Sequence, residues 1–197
     1  MRLSCSLIVK GFPKLLREKY GNEEAGIIWD SAQNELEKLN KEESRKDKYA
    51  PYIFPLAAVY LALSKLHPED AVPLIDEYGD RMGNYFKKKL ASLTSLPGIQ
   101  DLLRKTLPSI AKHSSAPGTG YERQIISDTK DYFEMNLTDC PLFKLSNIIG
   151  VPQACRCICH ADKIYAHGAK GIRVERTMAL GDGDPCCDYK YWLSNNS

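Results

Sequence analysis

The stretch DYFEMNL, residues 131–137, alternates polar and apolar side chains. In an extended chain Phe133, Met135 and Leu137 point to one side and their polar neighbours to the other. This period of two predicts a strand with one buried face. It follows HSSAPGTG, residues 113–120, a loop of small residues that ends a region with a different pattern. The fold class is decided here, where the chain changes from helices to a sheet.

Before that loop, apolar residues recur at steps of three and four, the pattern of amphipathic helices. The spacing predicts a helix over 22–46, separated from a preceding helix by the Gly-Asn pair at its start. The run from Pro51 to Leu66 is apolar on nearly every face and predicts a central, buried helix. Two more helices are predicted to begin at Pro68 and Ile99, the second kinked or ended by Pro108.

After the first strand, two further alternating runs predict strands at 172–175 and 189–193. The turn-rich GDGDP at 181–185 predicts that they form a hairpin. Two short helices are predicted between the strands, one from about Pro141 and one from about 152 to 167. The predicted architecture is α+β: a helical N-terminal half packed against a small antiparallel sheet, with two short helices carrying a cysteine cluster.

The chain 1–197 is predicted to be one domain, mainly helical over 1–113 and cysteine-rich α+β over 120–197. Its 43% hydrophobic and 26% charged residues are typical of a soluble globular protein. A net charge of +2 gives no strong field, so neither nucleic acid nor a membrane is an expected partner. The longest apolar stretch, 49–64, is shorter than the about 20 residues that span a bilayer.

Seven cysteines are present, six of them after residue 139. A disulfide framework is usually spread over a small secreted chain, and the N-terminal segment is not a convincing secretory signal. We therefore expect reduced thiols and a cytoplasmic location.

The motif CRCICHAD begins at Cys155, and we expect it to lie on a helix. At 100° per residue, Cys155, Cys159 and Asp162 share one face. Cys157 points to the opposite side and His160 flanks the shared face. The three thiols of this motif are therefore not equivalent.

Two other segments carry thiols. Cys140 follows the first strand at a strand-to-helix junction, where a helix N-terminus favours a thiolate. Cys186 and Cys187 lie where the hairpin re-enters the sheet, and alternation places Cys187 and Asp188 on opposite faces. The three segments can therefore bring Cys140, Cys159 and Cys187 together.

Three interpretations of these thiols are open. Free cysteines are among the most buried residues and commonly act only as small apolar side chains. A structural zinc site usually has two C-x2–4-C knuckles, whereas this chain has C-x-C-x-C and CC. A catalytic thiol is the third interpretation, and a variant of it is a metal held by Cys140, Cys159, Cys187 and a carboxylate.

Four short motifs follow one another in the C-terminal part. They are N-L-T-D-C at 136–140, C-x2-D at 159–162, R-T at 176–177 and L-x2-G-x3-C-D-Y at 180–189. Their order, over residues 120–192, resembles the L-2-amino-thiazoline-4-carboxylic acid hydrolase family. The resemblance implies hydrolytic opening of a small cyclic amidine-like thiazoline, at a carbon–nitrogen bond other than a peptide bond.

That chemistry adds water to a C=N carbon, so it needs a nucleophile and an acid or base. By the resemblance, Cys159 or Cys187 is the nucleophile and Asp162 is the acid/base, with Cys140 in the same catalytic set.

The resemblance also implies a small-molecule substrate with a carboxylate. Arg176 can clamp such a carboxylate with two hydrogen bonds, although a surface ion pair is its alternative role. His160, Asp188 and Gly183 complete the candidate substrate-binding set. No cofactor is expected, and a metal is left open. The alternative function is a small-molecule-binding or sensory domain without catalysis.

Overall fold

The structure is a computed structural model that describes residues 2–194. Within these residues, helices dominate the first part of the chain and strands enter after residue 120. The elements are α1 Phe12–Leu39, α2 Ala50–Leu66, α3 Pro68–Leu93, α4 Ile99–Ser114, β1 Glu122–Asp128, β2 Tyr132–Asp139, α5 Pro141–Ile148, α6 Arg156–Tyr165, β3 Arg173–Glu175 and β4 Cys187–Trp192. This arrangement confirms the predicted α+β class.

The chain divides into two compact units, each built from two segments. The first unit is Met1–Gly79 with Leu142–Cys157, and the second is Asp80–Pro141 with Ile158–Ser197. The boundaries fall within α3, after the first residue of α5 and within α6. The single domain expected over 1–197 stays a prediction.

The first unit is helical, and helix α2 contributes many of its buried residues. This helix buries residues on nearly every side, as the sequence predicts for the run from Pro51 to Leu66. Gly21 interrupts α1 with φ 80° and ψ 178°. Because a side chain disfavours this conformation, the helix kinks at the Gly-Asn pair where the sequence predicts a break.

The second unit contains the whole sheet. Its strand order is β1-β2-β4-β3, and all neighbouring strands are antiparallel. Phe133, Met135 and Leu137 are buried, which confirms the predicted alternation in β2. In the β2–β4 register, Phe133 lies opposite Tyr191 and Leu137 opposite Cys187. Cys187 therefore lies on the face that β2 buries, which we call the core face of the sheet.

Two features of this unit differ from the sequence prediction. Pro108 neither ends nor divides α4, which continues to Ser114. A proline removes one helical hydrogen bond, and a helix can bend slightly to accommodate it. The sequence pattern gives no prediction for β1, because this edge strand is mostly exposed and has bulges opposite β2.

The apolar helix α2 raises the question of membrane insertion. Within residues 2–194, none of the helices is both long enough and apolar enough to cross a bilayer.

Candidate active site

The guanidinium of Arg176 is at the centre of the candidate site in the second unit. Arg176 directly follows β3, and continuing the β3–β4 register by one residue places it opposite Tyr189. Its carbon Cζ lies 4.8 Å from the centroid of the Tyr189 ring. Only 3% of the Arg176 side chain is exposed. A charge buried to this degree needs partners within the protein.

Helix α6 supplies two of these partners. Nη1 of Arg176 donates to the carbonyl oxygen of Cys159 at 3.3 Å and lies 3.5 Å from Oδ2 of Asp162. The Tyr189 hydroxyl donates to the same Oδ2 at 3.4 Å. Nε of Arg176 is buried and has no hydrogen-bond partner among the described residues. A buried donor in this condition can donate a hydrogen bond to an anionic group of a ligand.

Cys187 supplies a thiol on the core face of β4. Its Sγ accepts the backbone N–H of Leu180 at 3.4 Å, and the Arg176 guanidinium is within hydrogen-bonding reach of it. Burial raises the pKa of Cys187, while Arg176 and the Leu180 amide partly offset that rise. The thiol therefore keeps its proton at neutral pH, with two donors already placed to stabilise a thiolate.

Asp162 supplies a carboxyl group close to the same guanidinium. Protein atoms surround it, yet 35% of its side-chain surface is accessible. Burial raises the pKa of Asp162, and Arg176 and Tyr189 lower it in part, so that the pKa remains above its ordinary value. A carboxyl group with a raised pKa is better suited to exchange protons near neutral pH.

The charges of the site also fix the state of Arg176. Burial alone would lower the pKa of its guanidinium, but Tyr189, Asp162 and Cys187 raise the pKa overall. The guanidinium therefore stays positively charged while the groups around it gain or lose protons.

Close packing and polar side-chain contacts hold α6 in the second unit. A Cβ on Gly83 would lie 2.9 Å from the carbonyl oxygen of Ala161, so only glycine allows α3 to approach α6 this closely. Nδ1 of His160 lies 3.0 Å from Asp80, and its Nε2 lies 3.8 Å from Asp182. The structure thus places His160 between two carboxyl groups, and its predicted role in substrate binding stays a prediction.

Asp188 lies on the other face of β4, which we call the outer face. Its side chain is 2% exposed. It accepts the backbone N–H groups of Thr177 and Met178, at 2.8 and 2.6 Å, and the Thr177 hydroxyl at 2.8 Å. Burial raises the pKa of Asp188, but these hydrogen bonds and Lys190 lower it below its ordinary value overall. Its carboxylate is committed to the chain after β3, and substrate binding by Asp188 stays a prediction.

Two other predicted site residues lie at the ends of elements. Gly183 ends a 3-10 turn at Leu180–Asp182 with φ 92°, a left-handed conformation that glycine adopts at low cost. Cys140 is half-buried between β2 and α5, three residues after Leu137, the register partner of Cys187. Roles for Gly183 and Cys140 in the site stay predictions.

The cysteines outside the family motifs have distinct places. Cys155 and Cys157 are buried in the first unit. Cys155 lies in a 3-10 turn before α6, so the α-helical phase that pairs it with Cys159 does not extend to it. Cys186 is buried near Asp188 on the outer side of β4. Burial raises the pKa of Cys186, and the neighbouring carboxylates raise it further.

A metal site was one sequence-based alternative. Within residues 2–194, three His, Cys, Asp or Glu ligand atoms lie within 4.8 Å of one another at His67, Glu69 and Asp70. Asp70 already binds Lys19 and Tyr20 there. The predicted set of Cys140, Cys159 and Cys187 with a carboxylate is not among such groups of the described residues, so its geometry gives no support for a metal.

A cleft of about 540 Å³ lies elsewhere in the second unit, between α4, the β1–β2 turn and the end of β4. Its polar lining mixes Lys105, Lys112 and Lys130 with Asp101 and Asp128, and it contains no cysteine. The residues that line this cleft therefore provide no thiol, whereas Arg176 lies beside the thiol of Cys187.

Two groups of the site are not predicted from the sequence. Tyr189 is interpreted there only as part of the sheet, although it belongs to the motif C-D-Y. The amide of Leu180 gives no sequence signal, because any residue except proline provides a backbone N–H.

The fold and this cluster define an α+β protein with a buried site of thiol, guanidinium, phenol and carboxyl groups. The sequence model of the family described as L-2-amino-thiazoline-4-carboxylic acid hydrolase matches residues 46–191. The chain belongs to this family, which confirms the resemblance of its motifs. A comparison with curated proteins gave no significant match.

Proposed function

We propose that the protein is a small-molecule hydrolase that opens a cyclic amidine or thiazoline-like ring, at a carbon–nitrogen bond other than a peptide bond. Cys187 acts as nucleophile and Asp162 as acid and base. The observation that carries this proposal is that one guanidinium, that of Arg176, contacts both the Cys187 thiol and the Asp162 carboxyl. The family is named for a hydrolase, which supports the reaction class.

The contacts favour Cys187 over Cys159 as the nucleophile. Arg176 donates to the backbone carbonyl oxygen of Cys159 and interacts electrostatically with its thiol, whereas at Cys187 the guanidinium is within hydrogen-bonding reach of the sulfur itself. The Leu180 amide also donates to the sulfur of Cys187. Since the thiolate is the reactive form of cysteine, donors directed at the sulfur are the feature that a nucleophile needs.

The reaction begins when the Cys187 sulfur bonds to the amidine carbon. The thiol proton passes by way of Asp162 to the ring nitrogen, and the C=N double bond becomes a single bond. The tetrahedral intermediate then breaks the bond between that carbon and the ring nitrogen, and the electron pair stays on the nitrogen, which is the leaving ring atom. Water attacks the same carbon and expels Cys187. One proton of the water goes to the leaving ring atom and the other returns to the thiol, so that the net change is the addition of one water.

The open donor on Arg176 gives a place for the substrate carboxylate. Nε is buried without a hydrogen-bond partner among the described residues, and it belongs to the guanidinium that interacts with Asp162 and Cys187. A carboxylate bound to Nε would hold the ring beside Cys187 and Asp162. Positioning of this kind lowers the activation free energy, because the entropy of orienting the substrate is already lost on binding.

The direct experiment offers the purified protein L-2-amino-thiazoline-4-carboxylate, other thiazolines, cyclic amidines and hydantoins. Mass spectrometry should detect a product heavier than its substrate by one water. The Cys187→Ser variant should lose more than about 1000-fold in kcat, as expected for a nucleophile. The matched Cys186→Ser variant should stay within about threefold of the parent, because Cys186 is on the outer side of β4.

Two results would contradict the proposal. Full turnover by Cys187→Ser would exclude Cys187 as nucleophile. Tight binding of one of these compounds without any change in its mass would favour the alternative of a binding or sensory domain.

A further inference from the structure

The chain after β3 is held by an unusual set of acceptors. β3 ends at Glu175, so the next residues leave the hydrogen-bonded ladder of the sheet. The amides of Thr177 and Met178 both donate to Oδ1 of Asp188, and the Thr177 hydroxyl donates to Oδ2. One side chain of β4 thus replaces the ladder for two residues, and both of its oxygens are used.

The next two amides also donate to side chains of residues that lie close to Asp188 in the chain. Ala179 donates to Oδ2 of Asp184 at 2.8 Å, and Leu180 donates to Sγ of Cys187 at 3.4 Å. Four consecutive N–H groups, at 177–180, are therefore satisfied by residues 184–188. The last acceptor in this series is the sulfur of the proposed nucleophile.

We infer that Asp188 is a positioning residue, whose carboxylate fixes residues 177 and 178 and so holds the Arg176 guanidinium and the Leu180 amide against the Cys187 sulfur. This inference rests on the proposed function, in which Cys187 is the nucleophile. Asp188 touches neither the thiol nor the guanidinium in this role, and it acts through the backbone.

The sequence neighbours explain why one carboxylate is sufficient. Asp188 directly follows Cys187, and Thr177 directly follows Arg176. A link between Asp188 and Thr177 therefore fixes both ends of the Arg176–Cys187 contact. Because the Asp188 side chain is 2% exposed, water has little access to replace its hydrogen bonds.

The test follows the thiol itself and needs no substrate. In a Cys186→Ser background, the rate of Cys187 alkylation by iodoacetamide is measured between pH 6 and pH 10 by peptide mass spectrometry. In Asp188→Ala the donors at the sulfur loosen, and we expect the apparent pKa of alkylation to rise by about half a unit or more. In Asp188→Asn the side-chain oxygen still accepts both amides, and we expect a profile within about 0.2 units of the parent.

Two further variants keep the test decisive. Thr177→Val removes only the hydroxyl contact to Asp188 at an exposed position, and we expect a smaller rise in the same direction even if Asp188→Ala does not fold. Thr94→Val is the control, because buried Thr94 also holds a loop of the second unit, through hydrogen bonds with Gly168 and Lys170 and not with residues 176–188. We expect Thr94→Val to leave the alkylation profile unchanged.

Three outcomes overturn the inference: unchanged profiles in both Asp188→Ala and Thr177→Val, equal shifts in Asp188→Ala and Asp188→Asn, or an equal shift in Thr94→Val. A failure of the proposed hydrolysis is distinguishable, because it would appear as absent turnover while the alkylation profiles still respond to Asp188.

Discussion

The two faces of β4 carry similar chemical groups, but the pKa of the carboxyl group is raised on one face and lowered on the other. On the core face, Cys187 lies beside the Arg176 guanidinium, and Asp162 comes from α6. On the outer face, Asp188 lies beside Lys190 and accepts backbone amides. Each face therefore combines a carboxyl group with a cation, but on the core face the cation is within hydrogen-bonding reach of the sulfur of Cys187.

The two carboxyl groups differ in how many hydrogen bonds they accept. Asp188 accepts two backbone N–H groups and a hydroxyl, which favour its charged form and lower its pKa despite burial. Among the described residues, Asp162 accepts a long hydrogen bond from Tyr189 and contacts Arg176, and burial raises its pKa. A carboxylate whose oxygens accept several hydrogen bonds stabilises the fold, whereas one that accepts few hydrogen bonds remains available for proton transfer.

The largest expected effect tests which face is core. Phe133→Ala on the core face should reduce the free energy of unfolding by about 3–5 kcal/mol, because it leaves a cavity. Its neighbour Glu134 points to the outer face, and Glu134→Ala should change that free energy by about 0.5 kcal/mol or less. Urea denaturation of both variants measures the difference. Similar losses in the two variants would mean that the two faces are not distinct.

The next effect concerns Asp162. Asp162→Asn removes the acid and base and should lower kcat/KM by about 100-fold, which corresponds to about 2.7 kcal/mol. The decrease of the parent rate at low pH, where Asp162 takes up its proton, should disappear in the variant. Exposed Asp128→Asn is the matched control and should retain the parent pH–rate profile. An unaltered acidic limb in Asp162→Asn would assign that limb to another group.

A smaller effect is expected when the planar guanidinium of Arg176 is replaced by the ammonium group of a lysine. Arg176→Lys keeps the positive charge but loses the planar fork that reaches Cys159, Asp162 and Cys187 together, and kcat/KM should fall about 10-fold. Arg173→Lys makes the same change three residues earlier at an exposed position over Trp192. Steady-state kinetics should show parent-like turnover in Arg173→Lys. Equal losses of kcat/KM in both variants would show that Arg176 has no specific role in the reaction.

The smallest expected effect is a pH dependence of stability that has opposite signs for Asp188 and Asp162. The pKa of Asp188 is lowered on folding, so its ionised form stabilises the fold above about pH 4, and this contribution is lost as the pH falls through its folded pKa. The pKa of Asp162 is raised on folding, so its ionised form costs stability, and this cost grows as the pH rises from about 4 through its folded pKa.

Urea denaturation between pH 3 and pH 7 can separate these signs. With rising pH, the parent should gain stability relative to Asp188→Asn and lose stability relative to Asp162→Asn. Parallel curves for the two variants would show that the carboxyl groups on the two faces do not differ in this way.

Local patterns were sufficient to predict much of the fold. The alternation around Phe133 correctly predicts β2 and its buried face, and the apolar run from Pro51 correctly predicts the buried helix α2. Both signals depend on which side of one element is buried, and the sequence records this directly. β1 lacks such a signal because it is an exposed edge strand, so only its pairing with β2 defines it.

The site was less predictable, because its contacts join residues that are distant in the chain. Alternation correctly separates Cys187 from Asp188, but it does not show that Asp188 binds the backbone after Arg176. Motif order identifies Arg176 and Asp162 without indicating that they meet. The predicted role of His160 likewise takes no account of Asp80, which lies 80 residues earlier and contacts its ring.

The sequence by itself determined the α+β class, the family and the alternation of the residues of β4, because periodicity and motif order are properties of short segments. Only the tertiary structure decided that the Cys187 thiol receives two hydrogen-bond donors, since these donors are a guanidinium after β3 and a backbone amide in the following turn. A charge or a donor acts over a few ångströms, and the fold alone determines which distant residues come that close.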